Sequence, residues 1–166
     1  MYRPSGDLLQ RDYKALLPCV ERLTGLDSGE WGDSIFDNEP PEFHAARLLG
    51  LGGQIKEVLI PCLAHPGHPA EKVKISGTLV SKLLLGTLVC VPAFDREVMR
   101  SLDRLIPSYG RGGSGMSKPR MTSTIRLAKD NAALLAEGVT FLAGEIDSQY
   151  PRTRVLDLFL WSHGRS

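Results

Sequence analysis

The chain has 166 residues, 42% of them hydrophobic, and a formal net charge of +1, which suits one soluble globular domain with a full core spanning residues 1–166. Its longest apolar stretch, Leu83 to Ala93, is broken by Gly86 and Pro92, so a bilayer span and a membrane partner are not expected. The opening residues MYRPSGDLLQRDY lack the basic and apolar regions of a signal peptide, and Cys19, Cys62 and Cys90 then suit the reducing cytoplasm better than a disulfide framework.

Asp7 to Leu23 reads as an amphipathic helix, with Leu8, Leu9, Tyr13, Leu16, Leu17, Val20 and Leu23 in helical period and Pro18 as a kink. An acidic loop over 26–41 follows, pinned to the core by Trp31, Ile35 and Phe36. A cation site built from Asp27, Asp33 and Asp37 competes there with plain solvation. Pro41 opens a second helical region that Gly50, Gly52 and Gly53 interrupt, and the punctuated run Pro61 to Pro69 predicts a loop.

The stretch Val73 to Ile106 organises the rest. After Gly77, Leu79, Val80, Leu83, Leu84, Leu85 and Leu88 cover more than one helical face and predict a buried central helix. Pro92 breaks the pattern. Asp95 then stands at the start of a helix whose Val98, Met99, Leu102, Leu105 and Ile106 face inward, while Arg96, Arg100 and Arg104 line another face. A glycine-rich basic loop over 107–119 follows, then a long helical region from Arg120 to Ile146 and a final helix from Arg152 to Ser162. No internal repeat and no strand alternation is evident. The prediction is an all-α domain of six to seven helices.

Charge is unevenly distributed. Residues 1–42 hold four basic and nine acidic side chains, whereas residues 96–129 hold eight basic and two acidic ones. Such a block suits a polyanion such as DNA, or is balanced by the acidic N-terminal part once the chain folds. Asp95 reads first as a helix N-cap, a position that keeps a carboxylate ionised and able to stabilise an oxocarbenium ion. Asp157, set between Leu156 and Leu158, needs a partner: an ion pair with Arg100 or Arg126, or a role as a second active-site carboxylate. Gly77, Ser81 and Lys82 divide between helix architecture and phosphate contact. Tyr109, Arg111, Lys118 and Arg120 divide between a surface connection and phosphate or base contact, without P-loop spacing. Cys62, His65 and His68 offer zinc-type donors at a spacing that is not a standard zinc pattern, and no metal site is assigned to them.

The run SGTLVSKLLLGTLVCVPAFDREVMRSLDRL resembles the core of the helix–hairpin–helix DNA glycosylases, in which a Pro-x-Asp type segment sets the catalytic Asp at a helix start. Val91 to Asp95 occupies that place. The chain is more similar still to uncharacterised bacterial proteins related to that superfamily, through Ser81 to Leu84, Val91 to Asp95 and Val155 to Trp161. The resemblance implies a glycosylase-like helical core and a DNA-binding hydrolase that flips a base and cleaves its glycosidic bond without a cofactor. Asp95 would be its essential carboxylate. Lys82 lacks the offset of a Schiff-base lysine, which implies a monofunctional enzyme. In the competing expectation, the basic face 96–129 binds nucleic acid or an acidic protein partner without catalysis.

Overall fold

The computed structural model describes residues 17–25, 31–106, 115–146 and 150–166. Among these, the regular structure is helical: α1 (Leu17–Thr24), α2 (Pro41–Leu63), α3 (Gly77–Thr87), α4 (Arg96–Leu105), α5 (Lys118–Asp130), α6 (Ala132–Ile146) and α7 (Arg152–Arg165). Two short 3-10 turns, Ser34–Phe36 and Ala70–Lys72, complete it, with a lone backbone bridge between His65 and His68. The all-α expectation holds. No helix among the described residues is long and apolar enough to cross a membrane.

The long helix α2 supplies the largest stripe of the core. Ala45, Leu48, Leu51, Ile55, Leu59 and Leu63 recur at three- and four-residue steps and are all buried. This corrects two sequence expectations. The glycines at 50, 52 and 53 do not interrupt α2, and Pro61 lies inside it, near its C-terminal end. Gly52 is needed for contact: a Cβ there would stand 2.9 Å from Met116 Cε and 3.2 Å from Val80 Cγ1, so the absent side chain lets α3 and the segment before α5 close on α2.

α3 buries Val80, Ser81, Leu84 and Leu85 but exposes Lys82, Gly86 and Thr87, so it is one wall of the core, not its enclosed centre. The region 120–146 divides at Asn131 into α5 and α6. The loop expected over 107–119 ends at Ser117, since Lys118 and Pro119 already begin α5. α4 and α7 make the most extensive helix pair. Gly164 permits it: a Cβ there would collide with the Glu97 carbonyl. The polar half of the same interface includes Ser101 Oγ, 3.0 Å from His163 Nδ1, and two arginines. Arg100 Nη1 donates to Glu97 Oε2 at 2.7 Å and to the Gly164 carbonyl at 3.1 Å, and Arg104 Nη1 donates to the His163 carbonyl at 3.1 Å.

The acidic loop acts as a strap. Ile35 is buried, and Trp31 and Phe36 pack on the core, as the sequence predicts. Asp33, expected as a possible cation ligand, instead caps α7 from a distance in sequence of more than a hundred residues. Its two carboxylate oxygens accept from the backbone N–H groups of Arg152 (2.9 Å) and Thr153 (2.8 Å). The Arg152 guanidinium lies 4.0 Å from the centroid of the Phe36 ring and closes the junction.

Candidate functional site

Four elements meet around the loop from Leu88 to Asp95. Its backbone is held from both sides. Thr78 Oγ1 donates to the Phe94 carbonyl (2.8 Å), and Ser81 Oγ accepts from Phe94 N–H (2.8 Å) while donating to the Thr78 carbonyl (3.1 Å). From α7, Asp157 Oδ1 accepts from Ala93 N–H at 2.8 Å. The loop contains a strained residue, Val89 at φ 51°, where a β-branched side chain is disfavoured. Its carbonyl is the acceptor for Asp33 N–H at 3.4 Å. The strap that seats α7 therefore also touches the loop.

Asp95 is the N-cap of α4. One oxygen, Oδ1, accepts from both Glu97 N–H and Val98 N–H at 3.1 Å. The other, Oδ2, stands 4.0 Å from Lys82 Nζ on α3. Asp157 lies close enough to feel both charges. Burial raises its pKa, and the Ala93 N–H, Arg154 and Lys82 oppose the rise while the Asp95 charge adds to it. The structure thus brings the two carboxylates and Lys82 to one place. It does not provide the ion pair with Arg100 or Arg126 expected for Asp157: Arg100 is engaged as described above, and Arg126 pairs with Glu42.

The other candidates separate. Ser81 is fully buried and spent on the loop backbone, so it is corrected from phosphate ligand to structural support. Gly77 begins α3 beneath Met116, whose backbone nitrogen would be 3.1 Å from an added Cβ, while Ser76 supplies the cap to Leu79 N–H. Close packing accounts for that glycine. Arg120, on α5, is 9% exposed and pairs with Asp103 of α4 at 2.9 Å, so its guanidinium is turned into the fold and not to a phosphate. Lys118 is an exposed first-turn residue of α5. Arg96 is exposed in the first turn of α4. Tyr109 and Arg111 lie outside the described residues.

The basic block is largely matched within the fold. Arg126 pairs with Glu42, and Lys129 Nζ donates to the carbonyls of Asp37 and Glu39, so acids and carbonyls of the N-terminal part meet the cations of α5. Cys62 ends up on α2 and the two histidines stack in the following turn with centroids 5.9 Å apart. Among the described residues, no group of three or more His, Cys, Asp or Glu side chains could hold a metal ion. Cys90 is buried, and burial pushes its thiol up to about 12, far from reactive thiolate.

Sequence reading missed two features. Trp161 lies one helical turn beyond Asp157 on α7, is 40% exposed, and carries the Arg165 guanidinium 4.5 Å from its ring centroid. The i, i+4 spacing of Asp157 and Trp161 was the available signal. The second is a buried chain in the strap: Ser34 Oγ is 3.2 Å from His44 Nε2, His44 Nδ1 is 3.2 Å from Glu39 Oε2, and Arg47 Nη1 bonds both Glu39 oxygens. The order is that of a hydrolytic triad. Yet Ser34 and His44 are 2% and 1% exposed, which denies a substrate carbonyl access to the hydroxyl. Burial lowers the His44 pKa and favours its neutral form, against the pull of Glu39. This chain fastens the strap to α2.

No protein-family model, curated protein or solved structure matches this chain.

Proposed function

We propose that the protein binds DNA and is a monofunctional glycosylase, with Asp95 and Asp157 at the reacting sugar. The carrying observation is that Asp95 spends only Oδ1 on capping α4, while Oδ2 is turned toward Lys82 beside a second carboxyl group whose pKa burial has raised. Two carboxyl groups in unlike environments suit unlike tasks. The Asp95 carboxylate stabilises positive charge as the sugar becomes oxocarbenium-like. Asp157, whose protonated form burial favours, is placed to give a proton to the departing base, which leaves with the electrons of the broken C1′–N bond. Water then adds to C1′ and returns a proton to Asp157. Lys82 of α3, with Arg154 and the exposed Trp161–Arg165 pair of α7, supplies phosphate contact and a stacking surface.

The test is a panel of duplex and single-stranded DNAs carrying modified or unmodified bases, with released base measured by mass spectrometry. Wild type is expected to release base from at least one member, and Asp95→Asn to lose about 100-fold or more in rate. Asn caps a helix as well as Asp does, so the fold is retained. Binding without release from any substrate would replace the enzyme with a non-catalytic nucleic-acid-binding module.

A further inference from the structure

On the side of the molecule formed by α5, α6 and the start of α7, an apolar cleft of about 250 Å³ opens to solvent. Leu105, Leu127, Leu134, Val155 and Phe159 line it, with Asn131 as its polar member. The Asn131 amide already donates to the Leu127 carbonyl at 2.8 Å. Leu134 is 64% exposed at the lip, and Phe141, seven residues on, is 69% exposed. Between them Glu137 is also exposed, so Leu134, Glu137 and Phe141 form one helical face at i, i+3 and i+7. Large apolar side chains this exposed, beside an apolar cleft, mark an interaction surface.

We propose that this face receives an amphipathic helix of a partner protein that is basic along its polar edge. The spacing of Leu134 and Phe141 is one heptad, which presents a seam to another helix, and the cleft takes one large apolar anchor from it. Charge selects the partner. Glu137 is exposed on α6, a helix with no Lys or Arg, and Asp130, at the end of α5, is exposed beside the cleft. An arriving Lys or Arg meets acids along this edge. A second copy of α6 laid antiparallel would instead set Glu137 against its own counterpart, so self-association is disfavoured. This docking face is independent of the Asp95 and Asp157 centre.

The test uses the full chain and two fluorescent model helices of identical Leu heptad pattern, one with Lys and one with Glu at the polar positions, read by fluorescence anisotropy. The Lys helix is expected to bind and the Glu helix to bind at least about tenfold more weakly. Leu134→Asp, at an exposed position and checked for helicity by circular dichroism, weakens the Lys helix about tenfold. Glu137→Lys reverses the preference toward the Glu helix. Equal binding of the two helices, absent binding of both, or indifference to Leu134→Asp would overturn the proposal. So would a concentration-dependent dimer of the protein that Leu134→Asp abolishes, which would give the face to a second copy.

Discussion

Asp33 and Asp95 perform the same structural act in different ways. Asp33 reaches from the strap to α7 and uses both oxygens on backbone, one on Arg152 N–H and one on Thr153 N–H, and its Oδ2 also lies 3.6 Å from Arg152 Nε. Asp95 caps its own helix and uses one oxygen for two N–H groups, leaving Oδ2 toward Lys82. A carboxylate with both oxygens committed to backbone is architecture. One with an oxygen turned toward a lysine and a neighbouring carboxyl has capacity for chemistry. The two are also linked, because Asp33 N–H meets the Val89 carbonyl in the loop that leads to Asp95.

The comparison depends on α7 being firmly seated, and the largest effect should come from unseating it. Gly164→Ala drives a Cβ into the Glu97 carbonyl and should cost about 3 kcal/mol in urea unfolding, since neither backbone can yield without parting α4 from α7. Next is Asp33→Ala. It removes both cap bonds and leaves Ala at φ 55°, for a loss of about 2 kcal/mol. Asp33→Asn should lose about 1 kcal/mol, because Asn tolerates that backbone conformation and keeps one acceptor while its NH2 faces the other N–H. Equal losses for the two variants would break the distinction between a cap and a charge.

Asp157 sharpens the contrast through pH. Its folded-state pKa lies above the ordinary 3.8, so the folded protein holds this proton where the unfolded chain has released it. The group's contribution to folding is complete below 3.8 and is lost as pH rises through the raised value. Asp157→Asn keeps an oxygen for Ala93 N–H and has no such loss. Its unfolding free energy should therefore gain on wild type as pH climbs from 3 to 7; a constant difference would contradict the raised pKa. The smallest effect is at Val89. Val89→Asn relieves a β-branched residue at φ 51° and should stabilise by about 0.5 kcal/mol in the same urea assay.

The helices were legible in the sequence because their apolar period is local. Val98 and Leu102 announce a buried face within one or two turns. Asp95 was legible as a cap for the same reason: the N–H groups that donate to it are two and three residues away. What was not legible depends on long-range contact. Asp33 meets a helix start more than a hundred residues later, Asp157 meets Ala93 sixty-four residues earlier, and Arg120 finds Asp103 across the 107–119 segment. The cationic block looked available because its partners, Glu42 and the Asp37 and Glu39 carbonyls, lie in another part of the chain. Pro61 misled for a different reason. A proline near the end of α2 interrupts few helical bonds, and the buried Leu59 and Leu63 on either side hold that turn in place.

The most direct measurement of the proposed chemistry compares wild type, Asp33→Asn and Asp95→Asn on the panel of modified DNAs, recording base release and urea midpoint on the same preparations. Asp95→Asn should keep a midpoint near wild type, and Asp33→Asn should lower it modestly while leaving the protein folded. Asp33→Asn should keep most of the base-release rate, and Asp95→Asn should lose about 100-fold or more. Loss of rate in both variants alike, or in neither, or no release by wild type from any DNA in the panel, would contradict the account.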